Sequence, residues 1–136
     1  MRKDRNRAGR AGESTGPARS FAELTGSKVN VHVQRLVDDV GARVPLTLPV
    51  MPHYVAVRPV GEERVAAYAR PQTLSVGLDP DDAASVAADF PSFRLEQTSA
   101  TTHHLHVPML ALADPGERRA AIAALERALA RITSSP

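Results

Sequence analysis

The sequence predicts an α+β fold: an antiparallel β-sheet of about five strands with N- and C-terminal helices packed on one face, preceded by a disordered basic tail. Three features lead there. Apolar residues recur at helical spacing after Ser27 and again after Asp114, and the stretch between them holds short runs of alternating residues bounded by glycine or proline. Those runs follow one another directly for the most part, whereas a parallel sheet would place a helix after every strand.

The tail comprises residues 1–19. It carries Arg2, Lys3, Arg5, Arg7, Arg10 and Arg19 against Asp4 and Glu13, a net +4, and almost no side chain able to bury area and offset the entropy of ordering. The remaining 11 basic and 13 acidic residues give −2, so the overall +2 conceals a mildly acidic body. Residues 20–133 form a single α+β domain, since a chain of 136 residues suits one core. Aromatic content is only 4% and tryptophan is absent, so that core must be built from Val, Leu, Ile and Ala.

The first helix starts at Ser27 as N-cap and carries Val29, Val33, Leu36, Val37 and Val40 on one stripe, with Gly41 as its stop; Phe21 and Leu24 form a short docking turn before it. VPLTLPVMP follows, and Pro45, Pro49 and Pro52 confine it to an edge strand or an extended connection. YVAVRP (54–59) and RVAAYAR (64–70) flank VGEE as a hairpin, and TLSVGL (73–78) is the next strand. Asp79 caps a short helix with Pro80 at its first position, ending before Pro91. FRLEQ (93–97) and the longer HLHVPMLAL (104–112) are strands. Asp114, Pro115 and Glu117 then open the final helix with a capping-box-like start, and Ile122, Leu125, Leu129 and Ile132 supply its apolar stripe.

Without cysteine there is no disulfide, no thiolate metal site and no cysteine nucleophile. No run of about 18 apolar residues occurs, nor an apolar stretch after the first basic residues, so the expectation is a cytoplasmic protein without membrane contact.

Strand alternation sorts the sheet into two faces. Val55, Val57, Val65, Ala67, Ala69, Leu74, Val76, Leu78, Leu105, Val107 and Met109 belong to the face covered by helices. Tyr54, Arg58, Arg64, Tyr68, Arg70, Ser75, His104 and His106 belong to the other, which includes both tyrosines of the chain. Tyrosine and arginine side by side on a sheet stack planar ligands and hold phosphates or carboxylates. His104 and His106, two apart, share a face and supply two of the ligands a zinc site needs; His53, Asp89 and Asp114 are the candidates for a third. His103 falls on the side of Leu105 as a satisfied structural histidine. No paired carboxylates, nucleophile elbow or Gly-rich phosphate loop is present, which makes an enzyme the minority reading.

The segments VAAYARPQTLSVGLDPDDAA and TTHHLHVPMLALADPGERRAAIAALERALA resemble the closing half of small bacterial domains of unknown function and of MmcQ/YjbR-like proteins, with HHLHV as the most specific element. The likeness spans roughly residues 28–132 and implies a frataxin-like fold, with DNA binding suspected. His103 and His104 align with the motif position. Leu105 stands where that pattern has a tryptophan, and its lysine-containing turn is missing.

The leading expectation is therefore a non-enzymatic interaction module, without cofactor, whose face of Tyr54, Arg58, Tyr68, Arg70, His104 and His106 contacts an unknown small ligand or protein. One alternative is nucleic-acid binding through that face with Arg2, Lys3, Arg5, Arg7 and Arg10 as a tethering arm. A second is a metal-dependent hydrolase built on His104 and His106. The proline-rich segment guards only one sheet edge, which leaves dimerisation through the other open.

Overall fold

The computed structural model describes residues 31–51, 54–70 and 72–134. The tail, the docking turn at Phe21 and Leu24, the Ser27 cap, Val29, Pro52 and His53 lie outside them.

Helix α1 (Val31–Gly41) buries Val33, Leu36, Val37 and Val40, the stripe expected from their spacing. Its last turn closes through Ala42 N–H to the Asp38 carbonyl and Val44 N–H to that of Val40. Strand β1 (Leu46–Thr47) is only two residues long, held between Pro45 and Pro49. β2 (Val55–Pro59) leads through a turn with Gly61 in the left-handed region, at φ 86°, to β3 (Ala67–Ala69). This second strand of the hairpin is shorter than predicted, and Arg64 and Val65 stay in the connection. Pro59 has no N–H to carry the ladder further, so pairing with β3 ends at Val57 opposite Ala67.

β4 (Thr73–Leu78) is central, paired with β3 on one side and β6 (His103–Pro108) on the other. Between them in sequence come α2 (Pro80–Asp89), whose N-cap Asp79 accepts from Asp82 N–H at 2.9 Å, and β5 (Arg94–Gln97). The strand predicted to run to Leu112 stops at Pro108 instead. Met109–Ala113 wind into a 3-10 turn that buries Ala111 and Leu112 against α1, so Met109 leaves the sheet face assigned to it. Helix α3 (Pro115–Thr133) then starts on Asp114, which accepts from Glu117 N–H at 2.9 Å.

The strands form one six-stranded antiparallel sheet in the order β1-β2-β3-β4-β6-β5. Against the five or so expected, the extra strand is the short β1. The core joins Val55, Val57, Leu74, Val76, Leu78, Leu105 and Val107 to the buried sides of α1 and α3, with Ala83 of α2. On α3 the buried residues are Ala121, Ala124, Leu125, Ala128, Leu129 and Ile132, while Ile122 is only half-buried and sits at the margin of the stripe assigned to it. The alanines let the helix lie close to β2 and β4. Among the described residues no helix is long and apolar enough to cross a membrane.

Candidate ligand-binding face

The sheet face opposite the helices is built around two very small residues. Ser75 and Gly77 of β4 lie between Tyr68 of β3 and the histidines of β6, with Ser75 directly opposite both Tyr68 and His106, and Gly77 opposite His104. Larger residues there would wall β3 off from β6. Instead the Tyr68 and His104 rings approach to 5.8 Å between centroids across the central strand.

Around this trough the aromatic and cationic groups converge. Tyr54 meets Tyr68 edge-on at 5.0 Å, and the Arg70 guanidinium lies 5.4 Å from the Tyr68 centroid and 5.7 Å from that of Tyr54. His104 and His106 stack at 6.3 Å. Five of the six residues expected to form the site, Tyr54, Tyr68, Arg70, His104 and His106, are thus brought together. Arg58 is not part of the cluster: it sits on β2 opposite Thr47, its Nε buried without a hydrogen-bond partner among the described residues.

A hydrogen-bonded chain runs beneath these rings across three strands and the β3–β4 turn. Arg70 Nη1 donates to Ser75 Oγ at 2.7 Å, Ser75 Oγ meets His106 Nδ1 at 2.7 Å, and His106 Nε2 meets Glu96 Oε1 at 2.6 Å. An ionised carboxylate only accepts, so His106 Nε2–H donates to Glu96, and in the neutral imidazole Nδ1 is then the acceptor of the serine hydroxyl. The bond to His106 holds the Glu96 carboxyl below the usual carboxylate range. His104 is tied by Nδ1 to Thr98 Oγ1 at 2.6 Å, and burial, reinforced by His106, keeps its pKa below the ordinary histidine value.

The order serine, histidine, carboxylate is that of an acyl-transfer triad. Two features set it apart. Ser75 is only 1% exposed, and β3 and β6 flank its strand on both sides, occupying the backbone donors of that strand.

Beside Tyr68 the face opens into a cleft of about 500 Å³ floored by Gly77 and bordered by His104, Thr98, Thr102 and Arg131. Arg131 Nη2 donates to the Thr101 carbonyl at 2.5 Å and Thr102 Oγ1 at 3.0 Å, fixing the β5–β6 loop as one wall. Arg64, which also lines the cleft, donates to the Ile132 carbonyl at 2.7 Å and so caps the end of α3.

Sequence reasoning missed Glu96 and the cleft. Glu96 sits in a strand whose neighbour is known only once β5 is seen to pair with β6, and the cleft depends on a loop meeting a helix end. Gly77 carried the one available signal, a glycine inside a strand pattern. His103 does share the side of Leu105, but its Nδ1 is buried without a hydrogen-bond partner among the described residues, so it is not the satisfied histidine expected. Among the described residues no three His, Asp or Glu side chains are placed to hold a metal ion, which leaves His104 and His106 without a third ligand there. Asp114 is occupied as a helix cap, Asp89 lines a groove between α2 and α3, and His53 lies outside the described residues.

Comparison of the chain with protein-family models, with characterised proteins and with solved structures finds no match, so the site is read from its geometry.

Proposed function

We propose that this chain is a non-catalytic recognition module that binds a small planar, polar ligand, or the equivalent group of a partner, on the sheet face around Tyr68. The observation that carries this reading is the mounting of Arg70, a cation laid against two tyrosine rings and tethered through Ser75 and His106 to Glu96. A cation and rings already fixed in place lose little freedom when a ligand arrives, which is how small sites gain affinity. In this reading the serine–histidine–carboxylate chain positions Arg70 rather than attacking a substrate. The adjoining cleft provides the concavity a small molecule needs.

The test is a two-dimensional NMR titration of the full chain with a library of planar heteroaromatic compounds, neutral and anionic. Shifts are expected to concentrate on Tyr54, Tyr68, His104 and His106 and to weaken at least about tenfold in a folded Tyr68→Ala variant. Shifts confined to the helical layer, or unchanged in the variant, would refute the reading.

A second reading places single-stranded nucleic acid on the same face, favoured by the interleaving of tyrosine and arginine, which suits base stacking and phosphate contact. Here Arg2, Lys3, Arg5, Arg7 and Arg10 act as the tether. Deleting residues 1–19 should weaken binding to a single-stranded oligonucleotide and flatten its salt dependence; equal binding by both forms rejects this version.

A further inference from the structure

The two edges of the sheet are unlike. On the β1 side the terminal strand is two residues long and lies between Pro45 and Pro49, with Pro59 opposite Leu46, so proline interrupts the edge repeatedly. On the β5 side, Arg94–Gln97 is a regular strand paired only with β6, without proline or bulge, and Arg94, Glu96 and Gln97 are exposed. Protected edges usually carry charge of one sign, which repels a second strand of the same kind. This one carries one charge of each sign, two residues apart.

That spacing makes the strand complementary to itself. When two copies of β5 run antiparallel about a two-fold axis through Leu95, residue 94 of each chain lies opposite residue 96 of the other, so Arg94 faces Glu96 twice. A shift of the axis to Glu96 places like charges opposite each other, and a shift by half that step sets Glu96 against Leu95; the Leu95 register alone pairs both charges. In it the two Leu95 side chains also meet on the helical side of the sheet, where each is already half-buried against the core.

We propose that two copies of this chain pair edge to edge through β5 about Leu95, joining their sheets into one continuous surface. The consequence reaches the candidate site. Glu96, which receives the His106 Nε2–H, then lies opposite Arg94 of the partner subunit, and the two polar faces become a single platform with a tethered Arg70 on each side of the axis. The partner's guanidinium is thereby added to the end of the chain of hydrogen bonds that holds Arg70. The inference does not depend on any ligand being bound.

The experiment is sedimentation equilibrium on the full chain and two charge variants, R94E and E96R. The wild type is expected to show a monomer–dimer equilibrium, and either variant alone, with two like-charge oppositions, should dimerise at least about tenfold more weakly. Mixing them restores the pairing: the carboxylate introduced at position 94 of one variant then faces the guanidinium introduced at position 96 of the other, while the retained Glu96 of the first faces the retained Arg94 of the second. The equimolar mixture should recover the wild-type dimer fraction, with each dimer containing one copy of each variant. A wild type that stays monomeric at high concentration, variants that dimerise as well as the wild type, or a mixture that fails to recombine would each overturn the proposal. Both positions are exposed, and circular dichroism on each variant checks that the fold is kept.

Discussion

Replacing Gly77 by alanine separates what the fold needs from what the site needs. Gly77 lies in β4 with no left-handed backbone requirement, and a Cβ added there would stand 3.4 Å from Thr102 Cγ2, 3.6 Å from the Ala66 carbonyl oxygen and 3.6 Å from His104 Nε2. All three are ordinary van der Waals separations. A glycine inside a strand costs about 0.5–1 kcal/mol relative to alanine because it surrenders more backbone freedom on folding. Gly77→Ala should therefore stabilise the domain by about that amount, which for a core of this size raises Tm by roughly 2–8 °C. Binding should move the other way, because the added methyl group sits on the floor of the cleft against His104. Gly77→Val goes further: its two γ-carbons extend past those contacts, so His104 or Thr102 must give way, at a cost of about 1–3 kcal/mol as overpacking. Differential scanning calorimetry gives the stabilities, and NMR shifts at Tyr68 and His104 report the cleft. A drop in Tm for the alanine variant, or a valine variant with native shifts at both rings, would mean that the trough is not shaped as described.

Three further outcomes follow from the same geometry. Ser75→Ala leaves Arg70 Nη1 and His106 Nδ1 without their shared partner and should cost about 1–2 kcal/mol by urea denaturation, an unchanged midpoint showing that the chain of bonds carries no stability. Stability should also fall with acidification in two windows of the same sign. Below the ordinary histidine value of 6.5 the unfolded chain takes up the proton that folded His104 resists, until pH reaches the lower folded value; below 4.5 protonation of Glu96 withdraws the stability its His106 bond supplies as pH passes through its lowered folded value. His104→Gln should flatten the first window and Glu96→Gln the second in denaturation curves taken from about pH 2 to 8, and variants with the wild-type slope would contradict the assignment. Finally, Asp114→Ala removes the cap of α3 and should cost about 1 kcal/mol, read as a lower urea midpoint; a change below a few tenths would show that the cap bond is not needed.

Elements that announce themselves through local chemistry were legible in the sequence. The Asp79 and Asp114 caps, the α1 stripe and the alternation of β2, β4 and β6 each need only neighbouring residues to be recognised, and the structure places them as expected. Boundaries set by a partner strand were not legible: β3 is cut short because its neighbour ends at Pro59, and β6 gives way after Pro108 to a turn whose Leu112 is drawn into the core. The site shows the same division. Alternation put Tyr68, Arg70, His104 and His106 on one face, but their meeting depends on β4 lying between β3 and β6 with side chains small enough to reach across. Glu96 belongs to the cluster only because β5 returns alongside β6, a long-range fact that no local pattern encodes.

The placement of the two tyrosines has a practical consequence. With no tryptophan in the chain and both tyrosines packed edge to face at the candidate site, the intrinsic ultraviolet emission of the protein originates there. The helical layer and the core contribute only phenylalanine, which emits weakly. An unlabelled sample therefore carries its own optical probe, so that a ligand settling on Tyr68 should register as a change in tyrosine emission or near-ultraviolet dichroism, while an event on the far side of the molecule leaves that signal untouched.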